Sequence, residues 1–296
     1  MKIVKYSVKI LAIVLFVSLL WLNTPRALAS EPVGIQVTPL RAYPAQSPGA
    51  TTKGSLTLTN YTTSPQYIAL SVESFKTVNE AYDYSFGSDE ATKWVQFSEP
   101  FTTLAPKQSK VAEYTIAVPA SAAPGGKYLS LVSTISPTAG TQGVTEIHRV
   151  ASLVYLQVNG ALTKQGSLLS FDLPKFSTRQ TATAQVRVAN SGNTHFESRV
   201  GFTMQRWLLG SPTNDNFQVA GLILPSTVRQ LTTELHTPSL PGLYRVTADY
   251  SPPQGGTTKL SHLVLYIPIW FMIILLVALG TLTVLIIRLW RTHRKR

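Results

Sequence analysis

The sequence contains no cysteine in 296 residues. Disulfides, thiolate nucleophiles and Cys-ligated metals are therefore excluded, and any fold has to be held by burial alone. Acidic residues are sparse, 14 against 26 Lys and Arg. Most of that imbalance sits at the ends: four basic residues precede Ser30 and five follow Ile287, so 17 face all 14 acidic residues in between. The interior is close to neutral, the high isoelectric point reflects topology, and no nucleic-acid partner is expected.

Motifs of chemistry are also missing. The histidines, His148, His195, His236, His262 and His293, show no His-Glu-x-x-His or comparable ligand spacing. There is no Gly-x-Ser-x-Gly elbow, phosphate-cradling loop or dinucleotide fingerprint. No enzyme activity, metal or cofactor is expected, which leaves open only a catalytic group assembled from distant residues. Helical periodicity is confined to the two ends.

What is present begins with those ends. Lys2, Lys5 and Lys9 precede an apolar run from Ile10 to Leu22, and Ala27-Leu28-Ala29 follows. This is the layout of a signal peptide, residues 1–29, with Ala27 and Ala29 as the small residues of the cleavage site. At the other end Tyr266 to Ile287 carries no charge and would span about 33 Å as a helix. Trp270 and Trp290 flank it and Arg288, Arg291, Arg294, Lys295 and Arg296 follow. The expectation is a transmembrane helix over 266–288 and a basic cytoplasmic tail over 289–296, with the bulk of the chain extracellular.

Between the ends, short alternating segments recur. Leu56 and Leu58 alternate with Ser55, Thr57 and Thr59, and Ile68, Leu70 and Val72 alternate with Tyr67, Ala69 and Ser71. A period of two marks half-buried strands. The punctuation repeats: the strand ending on Asn60 is answered by one ending on Asn190, Leu104-Ala105-Pro106 by Leu224-Pro225, and Pro124-Gly125 with Tyr128 by Pro241-Gly242 with Tyr244. An internal duplication follows. The fold class expected is all-β, two tandem immunoglobulin-like β-sandwiches over 30–160 and 161–265, plus the C-terminal transmembrane helix.

These features, together with Pro39, the segment Thr77-Val78-Asn79-Glu80-Ala81-Tyr82-Asp83-Tyr84, and Val118-Pro119 leading to Gly125-Gly126, resemble the extracellular module of WxL-interacting proteins of Gram-positive bacteria. The resemblance implies a first domain associated with peptidoglycan and a second with partner proteins.

One stretch stands out as a candidate contact. Between Lys76 and Lys93, Tyr82, Tyr84 and Phe86 lie among four carboxylates, Asp83 included, on what reads as a long loop. Exposed rings supply contact area at low entropic cost, whereas rings folded back would instead cap the sandwich. The functional expectation is a membrane-anchored cell-surface binding protein that engages peptidoglycan, another wall polymer or another surface protein. The alternative is a chaperone-like assembly factor that holds a client strand against a sheet edge.

Overall fold

The protein is described here by a computed structural model that covers residues 34–137, 147–207, 210, 212–236 and 238–293. The signal peptide, with Ala27 and Ala29, and the last three residues of the basic tail lie outside the described residues.

Among the described residues the fold is β-sheet with a short 3₁₀ turn, followed by one C-terminal α-helix. The N-terminal domain contains β1 (Ile35–Thr38), β2 (Arg41–Ala42), β3 (Ala45–Gln46), β4 (Thr51–Asn60), β5 (Gln66–Thr77), β6 (Tyr84–Gly87), β7 (Val95–Phe97), β8 (Phe101–Leu104), β9 (Ser109–Ala117), β10 (Gly125–Pro137) and β11 (His148–Val158). One sheet runs β1-β4-β9-β7; the other runs β2-β11-β10-β5-β6, with β3 also on β11 and β8 also on β5. The second domain contains β12 (Gly166–Asp172), β13 (Phe176–Ser177), β14 (Thr181–Asn190), β15 (Phe196–Arg206), β16 (Pro212–Ile223), β17 (Thr227–His236), β18 (Gly242–Tyr250) and β19 (Thr258–Tyr266). Its sheets run β12-β14-β17 and β13-β19-β18-β15-β16. The helix α1 spans Ile269–His293.

Alternation explains why these segments are strands. Leu56 and Leu58 of β4 are wholly buried while Ser55 and Thr57 face water, and Ala184, Val186 and Val188 repeat the pattern on β14. Each domain closes on its own core, one built around Leu56, Ile68, Leu129 and Leu156, the other around Val186, Phe202, Val246 and Tyr250. These immunoglobulin-like sandwiches bury apolar side chains between two sheets and need no cross-link.

The duplication is visible in side-chain detail. Asn60, at the end of β4, donates through Nδ2 to the carbonyls of Ser64 (2.9 Å) and Leu104 (3.1 Å), and its Oδ1 accepts from Thr62 N (2.9 Å). Asn190, at the end of β14, donates to Thr194 O (2.9 Å) and Ile223 O (3.0 Å) and accepts from Gly192 N (2.9 Å). In both domains one amide satisfies a turn on one side and a strand-end carbonyl of the facing sheet on the other. In both, too, the first strand is split between sheets: β1 lies on β4 and β2 on β11, just as β12 lies on β14 and β13 on β19.

The stretch expected as a loop between Lys76 and Lys93 is largely ordered secondary structure. It forms the end of β5, a tight turn at Asn79–Tyr82, β6, and a 3₁₀ turn over Glu90–Trp94 that Asp89 caps by accepting from Thr92 N. Ala91 and Trp94 anchor it, both buried. The C-terminal junction differs from expectation in one respect. Tyr266 is the last residue of β19, buried in the second core, and does not belong to the helix. Ile267 N still bonds Ser177 O, and α1 starts only after Pro268, whose carbonyl accepts from Phe271 and Met272. The ring of Pro268 has no N–H to offer a strand but suits a helix entry. Among the described residues α1 is the one helix long and apolar enough to cross a membrane, over Ile269–Ile287 with mean hydropathy 2.7.

Replacing either asparagine by Ala should cost about 3 kcal/mol, because several buried carbonyls and a turn N–H lose partners together. Urea unfolding should show a similar loss for Asn60→Ala and Asn190→Ala. A loss near zero in either would show that the amide is not structural.

Candidate functional site

Two features of the N-terminal domain combine into a site: an incompletely paired strand edge, and a clamp that fixes the second domain against the same sheet.

The edge belongs to β11. On one side it pairs with β10 along its whole length, from His148↔Ile135 to Val158↔Gly125. On the other side its ladder partners among the described residues are at Leu153–Val154, from β2, and at Gln157–Val158, from β3. Among the described residues, Arg149 to Ser152 therefore have no ladder partner besides β10. The cause lies in the first strand. Continuing β2 backwards in its parallel register would set Pro39 beside Ala151 and Val37 beside Arg149, but the chain crosses at Pro39 and gives Ile35–Thr38 to the facing sheet. Ser152 Oγ, bonded to Pro39 O at 2.6 Å, marks the crossing.

The direction of the backbone groups follows from the neighbouring hydrogen bonds. Leu153 N donates outward to Leu40 O and Gln157 N to Pro44 O, both at 2.9 Å. In an antiparallel ladder inward and outward groups alternate, so the N–H and C=O of Arg149 and Ala151 also point outward. Side chains alternate likewise: Val150, Val154, Leu156 and Val158 enter the core, whereas Ala151, Leu153 and Tyr155 face the other domain. Apolar side chains flank the unpaired stretch, Ile147 at 61% and Leu40 at 60% exposed.

The clamp is built from the turn after β5. Tyr82 sits there with a positive φ of 69°, a conformation that costs a non-glycine residue about 1 kcal/mol or more. Its side chain explains why the turn is kept. The hydroxyl accepts from Leu224 N at 2.8 Å and lies 2.7 Å from Thr227 Oγ1, and the Arg229 guanidinium stacks 4.3 Å from the ring centre. Glu80, two residues earlier, takes a two-pronged ion pair from Arg187, and its carbonyl accepts from Gln230 N at 2.8 Å. The Arg187 hydrogen bonds hold the Glu80 carboxyl below its ordinary range.

A ring cluster completes the contact. Phe75, Tyr84, Tyr128 and Tyr155 pack edge to face on the outer side of the N-terminal sheet, and Leu224 closes over them. His195 of the second domain enters the cluster, its Nδ1 3.3 Å from the Tyr128 hydroxyl. Burial pushes the His195 pKa down and lifts both the Tyr128 and Tyr155 hydroxyls well above the usual phenol range. Burial thus disfavours the charged form of His195, Tyr128 and Tyr155 alike. Gly126 N to Asn193 O, 2.9 Å, adds a backbone bond across the domains.

The residues singled out in the sequence now separate. Tyr82, 6% exposed, and the half-buried Tyr84 lie in the domain contact, packed with Leu224 of the second domain. Asp83 is spent on its own turn, its Oδ2 accepting from Asn79 Nδ2 at 2.7 Å. Phe86, 46% exposed, remains at the surface on the edge strand β6. Sequence reasoning missed His195, Arg187 and the β11 edge. The only local hint was the apolar Ile147 next to a strand that begins His148-Arg149. Among the described residues no group of three or more His, Asp or Glu could hold a metal ion.

Tyr82→Phe should lower stability by about 2 kcal/mol, since Leu224 N is left buried without an acceptor. Tyr84→Phe removes only a long 3.5 Å contact with Tyr155 and should cost well under half as much. Thermal unfolding of the two variants decides; equal losses would mean that the Tyr82 hydroxyl does not carry the clamp.

No protein-family model matches the chain, and no curated protein matches it in sequence. Among solved structures it is similar to a chain of the Salmonella enterica SafA pilin–SafB chaperone complex, at 11% identity over 80% of this chain and 99% of that one, with a TM-score of 0.41. The class 5 fimbriae chaperone CfaA gives 11% identity, 80% and 100% coverage and 0.39. The E. coli chaperone DraB gives 12%, 78% and 98%, and 0.38.

Proposed function

We propose that the protein is a non-enzymatic, membrane-anchored holder of extended segments of other exported proteins, and that it works by strand addition to the open edge of β11. The observation that supports this is the outer side of Arg149–Ser152, which among the described residues has no ladder partner because the chain crosses to the facing sheet at Pro39. An extended segment laid there would pair with the outward backbone groups of Arg149 and Ala151, as strand-adding ligands do at other sheet edges. Main-chain bonds supply affinity without regard to sequence, while Ile147 and Leu40 favour apolar side chains at alternate positions.

The second domain supplies an internal comparison. On β19 the outer side is likewise paired only at Leu265–Tyr266, by β13. Its unpaired stretch is flanked by Thr258, Lys259 and Ser261, with Lys259 ion-paired to Asp249 at 2.8 Å. Charge and polarity of that kind guard an edge against pairing. The β11 edge carries a comparable pair, Arg149 with Glu73, and differs in the exposed apolar Ile147 and Leu40 beside it. Anchoring rests on the apolar helix, which follows the second domain without a flexible spacer and would keep the edge close to the site of export.

Ala151→Pro tests the reading. It removes an outward N–H and leaves the inward ladder to β10 intact, whereas Ser152→Pro would break that ladder. Full-length protein in detergent should bind extended peptides of alternating apolar and polar residues, and Ala151→Pro should weaken binding at least tenfold with an unchanged melting temperature. Equal binding by both proteins contradicts strand addition. Sedimentation with purified peptidoglycan in place of peptide binding would favour a wall-polymer ligand instead.

A further inference from the structure

The end of the second domain nearest α1 carries a basic and apolar surface that the strand-holding reading does not use. Leu243, Leu263 and Leu265 lie on the outer face of the β18–β19 ladder, with Leu243 opposite Leu265 and Arg245 opposite Leu263. Phe176, beside Leu265 on β13, extends the face and is 51% exposed. Three cations stand at its border: Lys175, Arg206 and Arg245. None of the ion pairs among the described residues involves them.

Arg206 and Arg245 share a shallow cavity of about 240 Å³, lined also by Gln205, Trp207 and Gly210. The Arg245 guanidinium lies 4.2 Å from the centre of the Trp207 ring, which fixes its plane and leaves its edge N–H groups directed away from the stack. Arg206 is held from behind by the Pro241 carbonyl, which accepts from Nη2 at 3.3 Å. Two forked donors beside one cavity match the oxygens of a phosphate better than any neutral group.

Position identifies the source of that phosphate. The Gly242↔Tyr266 pair is the last of the ladder, and Arg245 is three residues up from it, about 10 Å at the rise of a strand. Three residues past Tyr266 the apolar helix begins, so a bilayer that holds α1 sets its headgroup layer at the level of this face. Trp207 and the exposed leucines are of the kind that settles at such an interface, and the cations complement an anionic one.

We propose that this end of the second domain docks on the headgroup layer, with the phosphate of an anionic phospholipid bound between Arg206 and Arg245 over Trp207. The docking rests on the membrane anchoring proposed above. It would hold the second domain against the bilayer and, through the Tyr82 clamp, set the direction in which the β11 edge faces.

Because the chain has no cysteine, Leu243→Cys creates a unique site for an environment-sensitive fluorophore. The labelled full-length protein is reconstituted into vesicles of acyl-brominated phosphatidylcholine, with and without phosphatidylglycerol, and protease protection of the helix is measured in the same samples. Phosphatidylglycerol should at least double the quenching of the label. Arg206→Gln with Arg245→Gln should return quenching to the phosphatidylcholine level while α1 stays protected. Quenching that ignores phosphatidylglycerol or the arginines, with α1 protected, overturns the docking alone. Loss of the phosphatidylglycerol effect on adding inorganic phosphate, at constant ionic strength, assigns the cavity to a soluble anion and also overturns it. An unprotected helix defeats the anchoring and the docking together.

Discussion

The Tyr82 hydroxyl is the contact through which the two halves of the molecule become one object. A residue held at positive φ reaches across to Leu224 N and Thr227, its ring lies under Arg229, and Glu80 beside it binds Arg187. Isolated surface ion pairs contribute little to stability. This one is joined to a buried phenol, a backbone bond from Gln230 and a packed ring cluster, so the parts restrict one another. Without the clamp two sandwiches would keep the short connection from Val158 to Gly166, the Gly126–Asn193 bond and the contacts of His195 and Leu224 with the ring cluster. With it, whatever fixes the second domain also fixes the edge of the first.

That edge and the α1 end of the second domain are two outcomes of one duplicated device. In each domain the first strand starts on one sheet and finishes in parallel on the last strand of the other. The split ties the sheets together at their rim and leaves part of the last strand unpaired. In the second domain the unpaired part is bordered by polar and charged residues and the strand runs on towards α1. In the first the unpaired part carries Arg149, ion-paired to Glu73, with the exposed Ile147 and Leu40 beside it.

Much of the fold was legible in the sequence because its cause is local. Alternation in Ser55–Thr59 and Gln185–Ala189 reports one buried face, and the paired Asn60 and Asn190 reveal the duplication because each amide serves a turn only a few residues away. The partners of the clamp are not local. Glu80 meets Arg187, and Tyr82 meets Leu224, across more than a hundred residues, and nothing near Tyr82 distinguishes a ring that caps a neighbouring domain from one that faces a ligand. The 76–93 stretch was misjudged for the same reason, since Trp94 and Ala91 order it by packing on a core assembled from distant strands. The β11 edge was hidden because it is a missing pairing, decided by where Pro39 sends the preceding strand.

Amide hydrogen exchange on β11, read residue by residue with and without a bound extended peptide, tests strand addition most directly. The account predicts slowed exchange at Arg149 and Ala151, whose N–H groups point outward, with little change at Val150 and Ser152, which already pair with β10. Peptide binding that leaves Arg149 and Ala151 unprotected, or that protects residues of β19 instead, would contradict it.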